Sequence, residues 1–349
     1  MGSASRRLKT GIIGCGNIAP AHAQALAVLP QSEFWACADV DGAKAASLAS
    51  EYNVRHCCAT LDELLASGIE ALMVCTPHKS HEAIVTRAAE AGVHVLCEKP
   101  ISVELAEADR MIAAADAAGI TFGVVFMRRF WPAAQRIHQA IISGAIGLPT
   151  FGMCQALLWR PESYFAQAEW RGTWAGEGGG VLMNQAVHVI DMLQWFMGSV
   201  TEVYGKYDTL VHGDYIDVED TVAATLTFAS GALGLVQAIT TVDPQLGYRV
   251  SVHGSRGASL SVWENPEGTQ GFNDVWTFDP TGEQRARWEQ EERDQPGFPA
   301  FHILQIEDFL QSIIEGREPA VTGAEARKSL AIVEAIYESS RTGQPIRFA

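Results

Sequence analysis

The first 125 residues alternate short apolar runs with longer Ala-rich stretches. LKTGII, EFWACAD, ALMVCTP, HVLCEKP and TFGVVF are β-branched or Cys-containing runs, and the segments 18–29, 42–50, 80–91 and 103–118 between them read as helices. Strands alternating with helices of this length predict βαβ units and a parallel sheet covered on both faces. Beyond residue 150 the period changes. The paired runs TVAATLTF–ASG–ALGLVQAIT and YRVSVHG–SRG–ASLSVWE alternate apolar and polar residues across glycine-containing turns. They predict antiparallel hairpins. The acidic stretch 289–297 (EQEERDQPG) reads as a solvated connection. Two helices follow, QIEDFLQSIIEG stopped at Gly316 and another across 323–341. The expected fold class is α/β plus α+β, with a first domain over 1–125 and a second over 126–349 whose final helices, 303–341, can pack back near the first.

Composition narrows the function classes. With 349 residues, 48% hydrophobic and 19% charged, the chain matches an ordinary globular protein and not a disordered one. No apolar run approaches the roughly 20 residues of a spanning helix, so no membrane is expected. Lys+Arg 25 against Asp+Glu 41 gives −16. Without a basic cluster to follow a phosphate backbone, nucleic acid is not an expected partner. None of the seven cysteines shows C-x₂-C spacing, which argues against a zinc site and for free thiols in a reducing compartment. The opening SRRLKT carries paired arginines, yet GIIGCG follows where an export signal needs an apolar stretch of about 7–15 residues. A cytoplasmic location is therefore expected.

The candidate chemistry begins at the end of the first strand. Gly14-Cys15-Gly16-Asn17-Ile18-Ala19 is G-x-G-x-x-A between a strand and a helix. Gly14 permits the tight turn, Gly16 lets the backbone approach a pyrophosphate, and Ala19 permits close helix–strand packing. Asp39 ends the second strand, where a carboxylate accepts hydrogen bonds from ribose hydroxyls and repels a 2′-phosphate. The expected cofactor is NAD in preference to NADP. Asp41 competes for the ribose role but sits where it caps the next helix. An ordinary turn with a solvated Asp39 is the competing reading. The second motif, Glu98-Lys99-Pro100, follows strand HVLC, at the end of a parallel sheet where ligands bind. A lysine snorkelling from a strand end is its plain alternative.

The third motif is GEGGG (176–180) leading into VLMNQAVHVIDMLQWFMG, a helix apolar almost all round and so a buried one. Asn184, His188 and Asp191 fall at i, i+4 and i+7, one stripe on one face. An amide, an imidazole and a carboxylate are costly to bury unless paired or facing a polar cleft. The stripe reads either as a satisfied core network or as an active-site wall with His188 as proton carrier. Segment 159–174, WRPESYFAQAEWRGTW, supplies Trp159, Arg160, Tyr164 and Arg171 as substrate-binding candidates. Indole faces suit sugar C–H faces, and Arg forks suit carboxylates or phosphates. Trp170 and Trp174 are equally readable as core. The run Arg128-Arg129-Phe130-Trp131 is a further candidate border of the cleft.

The ordered set GCGNIA, ACADVD, CTPHKSHEAIVTRAAEAGVHVLCEKP, GGGVLMNQAVHVIDML and FHILQIEDFLQSIIEG resembles the Gfo/Idh/MocA oxidoreductases from about residue 8 to the C-terminus. The resemblance implies an N-terminal Rossmann domain, doubly wound, then a domain on a large, open, mostly antiparallel sheet that pairs with other subunits as a homodimer or homotetramer. It implies an NAD-dependent dehydrogenase acting on the CH–OH group of a sugar, a polyol or a sugar derivative. Residue by residue, Lys99 corresponds to the lysine that contacts substrate and cofactor, ahead of an often cis peptide to Pro100. His188 corresponds to the histidine that exchanges the proton with the reacting hydroxyl. Thr76, Pro77, His78 and His81 match the segment bordering the cofactor, which with Asn17, Ile18 and Glu98 completes the expected cofactor-binding set. His78 and His81 have no third ligand at suitable spacing, so no metal is expected. Asn184 departs from the inositol dehydrogenase branch, which has Asp there, and this leaves proton transfer to His188 and Lys99. Two other functions share the resemblance: a glycosidase that reduces and reoxidises bound NAD in one turnover, and a non-catalytic NAD-binding sensor.

Overall fold

The computed structural model describes residues 6–279, 281–295, 297–298 and 300–348. By backbone contacts the chain divides into two units, one of 1–127 with 299–327 and one of 128–298 with 328–349.

In the first unit, strands β1 (Leu8–Ile13), β2 (Ser32–Ala38), β3 (His56–Cys58), β4 (Ala71–Val74), β5 (His94–Cys97) and β6 (Phe122–Val124) form one sheet. The order is β3-β2-β1-β4-β5-β6, and every pair is parallel. All four residues of β4 are buried, as a strand covered on both faces requires. Helices α1 (Ala19–Val28), α2 (Gly42–Tyr52), α3 (Leu61–Ala66), α4 (His81–Glu90) and α5 (Leu105–Ala118) make the crossovers. The strand order reverses direction between β1 and β4, so the carboxyl ends of these two strands border the crevice used by ligands in such sheets. Asp41 caps α2, accepting from Ala43 N at 3.0 Å. The sequence pattern shows five strands in this region and misses β3, which is only three residues, His-Cys-Cys, at the sheet edge. Helix His302–Glu315 also belongs here. Its Gln305 amide donates to Val124 O at 2.7 Å and accepts from Phe126 N at 2.9 Å, fixing the end of β6.

The second unit is built on β7 (Pro149–Leu157), β8 (Val200–Asp208), β9 (Thr221–Phe228), β10 (Leu233–Ile239), β11 (Gly247–Gly254), β12 (Ser259–Glu264), β13 (Phe272–Trp276) and β14 (Ile346–Arg347). They form one eight-stranded sheet in the order β13-β12-β11-β7-β10-β9-β8-β14. Only β7 with β10 is parallel; the other pairs are antiparallel, including both hairpins expected from sequence. One face is covered by α6 (Pro132–Ile142) and α8 (Val187–Met197), while α7 (Glu162–Phe165) lies in the preceding loop. Close approach of α8 to β7 requires Gly152, because a Cβ there would stand 2.7 Å from Leu193 and 2.9 Å from Met197. On the other face the row Tyr204, Thr225, Leu235, Met153 runs across β8, β9, β10 and β7 in register. Tyr204 and Leu235 are exposed in it.

The stretch 289–297 is not simply a solvated connection. Residues 289–293 complete α9 (Glu283–Arg293), and Glu292 is buried against Arg136. The run EQRARWEQEER consists of strong helix formers, and Trp288 holds it through the Arg136 guanidinium, 4.3 Å from its ring. Pro296 lies outside the described residues. The chain closes with α10 (His302–Glu315) and α11 (Gly323–Thr342).

Candidate active site

In the first unit the G-x-G-x-x-A turn is held almost entirely by backbone. Gly14 has φ +88°, and a Cβ there would strike Cys75 C and O at 2.7 Å, so only glycine fits against the end of β4. At Gly16 the opposite holds: a Cβ would meet nothing within 4 Å. The N-terminus of α1, entered through Asn17 and Ile18, has no side-chain cap and no acidic residue in its first turn. An open glycine beside an uncapped helix N-terminus fits the pyrophosphate of a dinucleotide. Asp39 accepts from Cys15 N at 2.6 Å and from Asp41 N at 2.7 Å, which fixes the carboxylate at the end of β2 beside that turn.

Two further segments end at the same edge of this sheet. Thr76 and Pro77 follow β4, and Glu98, Lys99 and Pro100 follow β5, with a cis peptide between Lys99 and Pro100. His81, wholly buried at the start of α4, joins them. Its Nε2 lies 3.0 Å from Thr76 O and its Nδ1 3.0 Å from Pro100 O. Burial lowers the pKa of its imidazole, and it works as a clamp on these loops rather than as an exposed ligand. His78 is buried 6.0 Å away, ring to ring. Lys99 is half-buried, and its N–H donates to the Glu98 carboxylate at 3.1 Å.

Glu98 itself is turned into the first unit. Its Oε1 stands 2.8 Å from His22 Nε2 and 3.5 Å from His302 Nε2. Burial alone would raise its pKa. The hydrogen bonds and charges of the two imidazoles outweigh burial and hold the carboxyl well below the usual range. Burial lowers the pKa of the His22 imidazole, against the pull of the Glu98 carboxylate that raises it. The three ligand-type atoms lie within 4.8 Å of one another, close enough for a metal ion. Two of them, on His22 and Glu98, are already hydrogen-bonded to each other at 2.8 Å. Sequence reading missed His22 and His302; the signal available was one His per helix, three residues after Ala19 in one case and at the head of α10 in the other.

In the second unit the expected helix is not uniformly α. Leu182–Ala186 is a π-turn, and α8 begins at Val187. Such a turn breaks the i, i+4, i+7 register, and π-turns are frequent at functional sites. Its entry is fixed by Glu219, which accepts from Gly180 N at 2.8 Å, Leu182 N at 2.9 Å and Tyr337 Oη at 2.9 Å. Burial nonetheless pushes this carboxyl up to about 7. Asn184 Nδ2 donates to the buried Glu177 and, at 3.4 Å, to Tyr164 Oη; Gln185 Nε2 donates to the same hydroxyl at 3.0 Å. Glu177 also accepts from Gly172 N at 2.7 Å. His188 is buried one turn further on.

The candidates therefore sort into those brought together and those set apart. Tyr164, Arg160, Arg171 and Asn184 form one cluster, with the Arg171 and Arg160 guanidiniums 4.4 and 5.0 Å from the Tyr164 ring centre. Trp159 joins it through its carbonyl, which accepts from Arg160 Nη1 at 3.0 Å. Asp191 is set apart. Fully buried, it takes two 2.7 Å bonds from Arg129 and one of 3.0 Å from Ser329, so its oxygens are committed to the interior and not offered to substrate. The Arg128–Trp131 run is likewise internal: Arg128 pairs with Glu264 at 2.7 Å. Trp174 packs against Tyr207 and Tyr337. Glu177, Gln185 and Glu219 were missed; an acid inside a glycine run, GEGGG, was the one visible signal.

Comparison with known proteins gives matching families for both parts of the chain. Residues 8–126 match the NAD-binding Rossmann fold of an oxidoreductase family, and residues 138–348 match its C-terminal alpha/beta domain. The chain is 27% identical over 341 residues to the myo-inositol 2-dehydrogenase of Thermotoga maritima, covering 95% of this chain and 96% of that one. It is 27% identical over 381 positions to the levoglucosan dehydrogenase of Pseudarthrobacter phenanthrenivorans, with 96% of each chain covered. The structure is similar to that of the WlbA dehydrogenase from Bordetella pertussis in complex with NADH and UDP-GlcNAcA, at TM-score 0.84, 28% identity and 99% coverage of both chains.

Proposed function

The chain belongs to the Gfo/Idh/MocA oxidoreductase family, and from that premise we propose that it is an NAD-dependent dehydrogenase acting on a CH–OH group of a sugar, polyol or sugar derivative, with Lys99 and His188 as its catalytic residues. The observation that carries the reading is the 14–19 turn, with open space at Gly16, an uncapped α1 and the Asp39 carboxylate fixed beside it. Bound NAD supplies the hydride acceptor. The Lys99 ammonium polarises the hydroxyl oxygen, and the His188 imidazole takes its proton as the carbinol carbon is oxidised. Asn184 holds a neighbouring hydroxyl without titrating. His81 positions Lys99 by clamping the loops on either side of the strand ends, and Glu98 anchors the Lys99 backbone from below.

The same reading includes a homodimer or homotetramer, supported by the exposed row of Tyr204 and Leu235 on the uncovered sheet face. Light scattering that returns a monomer at micromolar concentration removes that part. It also includes the cytoplasm, supported by seven free cysteines. No helix among the described residues is long and apolar enough to cross a membrane.

The test is NADH formation over a panel of polyols, aldoses, uronates and nucleotide sugars, followed by His188→Ala on the best substrate. The variant is expected to lose about 10²–10⁴ in kcat with unchanged NAD affinity. Near-wild-type turnover would make His188 a core histidine. Release of a glycosidic leaving group without NADH would replace dehydrogenation by NAD-assisted hydrolysis.

A further inference from the structure

Of the two guanidiniums beside Tyr164, only one has a carboxylate partner among the described residues. Arg160 has a carboxylate, Glu267, at 2.5 Å. The Arg171 guanidinium has neither ion pair nor hydrogen bond among the described residues, although its Nε and Nη1 are shut off from solvent. Arg160 Nε is shut off in the same way. A guanidinium cannot shed its proton in a protein. Shielded N–H groups without acceptors cost free energy, and native structures mostly complete them with a protein acceptor, a ligand, an ion or a water. The rings of Tyr164 and Trp170, 4.4 and 5.0 Å from the Arg171 guanidinium carbon, stabilise its charge but accept none of these hydrogens.

The position of this charge gives it meaning. Tyr164 Oη accepts from Gln185 and Asn184, so Arg171 is joined through a single ring to the π-turn that immediately precedes His188. Nε and Nη1 lie on the two different edges by which a guanidinium grips an oxyanion, so each edge has an unfilled donor. The chain as a whole carries −16 and repels anions at a distance. A local, partly desolvated cation is what an anionic substrate would need to bind such a protein at all, whereas a neutral sugar leaves the cation unmatched.

We propose that Arg171, with Arg160 behind it, binds an oxyanion carried by the substrate, so that the compound oxidised is an acidic sugar or polyol derivative and not a neutral one. The inference rests on the reading of the Asn184–His188 stretch as the substrate side of a dehydrogenase, and carboxylate and phosphate are its two possible sources of charge.

The experiment measures equilibrium binding to the NAD-saturated protein, and NADH formation in parallel, for neutral aldoses and polyols each matched with its uronate or aldonate and its terminal phosphate. The acidic member of at least one set should bind about tenfold or more tighter than its neutral parent, and which acid does so identifies carboxylate or phosphate. Arg171→Gln should erase most of that preference, and Arg171→Lys, which keeps the charge without the fork, should leave an intermediate one. Equal or better binding of the neutral members, no binding across the panel, or a preference that survives Arg171→Gln overturns the proposal. Arg171-dependent binding of an acid without any NADH would sink the dehydrogenase reading and leave the oxyanion site standing. Turnover of neutral polyols alone would do the reverse.

Discussion

The two units handle their chemistry-bearing residues by different means. Around the 14–19 turn, the geometry is set by backbone and by single side chains bonded to backbone: Gly14 against Cys75, Cys15 N on the Asp39 carboxylate, and the His81 ring between the carbonyls of Thr76 and Pro100. Around Asn184 it is set by side chains: Asn184 joins Glu177 to the Tyr164 hydroxyl, Gln185 donates to the same hydroxyl, and two guanidiniums stand by with hydrogens unaccepted. A backbone-built site suits a ligand whose shape never changes, because few side chains can disturb it. A side-chain-built site can be respecified by one substitution. The constant cofactor goes with the first unit, whose residues match an NAD-binding Rossmann fold, and on the proposed function substrate choice goes with the second.

The largest effect is expected at Asp191, the residue of the expected stripe whose oxygens are bonded into the interior. Asp191→Asn keeps shape but leaves Arg129 buried without its carboxylate, which typically costs about 3–5 kcal/mol. Denaturant unfolding should show a loss of that size, with the KM for substrate little changed in the protein that remains folded. A normal midpoint with a raised KM would return Asp191 to the substrate surface.

That residue also shows what sequence can and cannot carry. Period-2 and period-3.6 patterns write five of the six parallel strands and both hairpins into the chain, though not the order of the strands, and G-x-G-x-x-A with Asp39 needs only local geometry to be read. The stripe Asn184, His188, Asp191 was legible as polar residues in an apolar helix, but its meaning was not. A π-turn at 182–186 alters the register, and Arg129, distant in sequence, decides that Asp191 points inward. His22 and His302 converge on Glu98 from two helices 280 residues apart, a meeting that no spacing rule encodes. Long-range side-chain pairing is where the local signal ends.

Two buried carboxylates, one in each unit, respond to pH in opposite directions. Glu98 is held low by its imidazole partners, so its contribution to stability is present above the ordinary carboxyl range and is lost only as pH falls through its depressed pKa. Glu219 is the reverse case. Burial raises it from 4.5 to about 7 despite three donors, so the folded state holds a proton that the unfolded chain has released. Its contribution is complete below pH 4.5 and is lost as pH rises through about 7. At about 1.4 kcal/mol per pKa unit, the loss is about 3 kcal/mol at most. Glu219→Gln cannot ionise, so its stability should fall less than the wild type's between pH 5 and pH 8. Because every other group titrates in both proteins, the difference between the two curves isolates this carboxyl. Parallel curves would mean that the three donors, not burial, set its charge.

The smallest expected effect lies at Asp39, and it probes the backbone-built side. Its carboxylate accepts from Cys15 N at 2.6 Å, and in the proposed reading it also presents negative charge to the adenosine ribose of NAD. Asp39→Ser removes both, whereas Asp39→Asn removes the charge and retains an amide oxygen able to accept from Cys15. If the charge sets cofactor choice, both variants should narrow the preference for NAD over NADP, by about tenfold, since that is the effect of about 1.4 kcal/mol of lost repulsion and ribose bonding. If the hydrogen bond to Cys15 holds the turn, Asp39→Ser alone should also weaken binding of both dinucleotides together. Titrating NAD and NADP against the two variants separates these effects. A wild-type protein that binds NADP as tightly as NAD would show that the Asp39 carboxylate serves the turn and not the ribose.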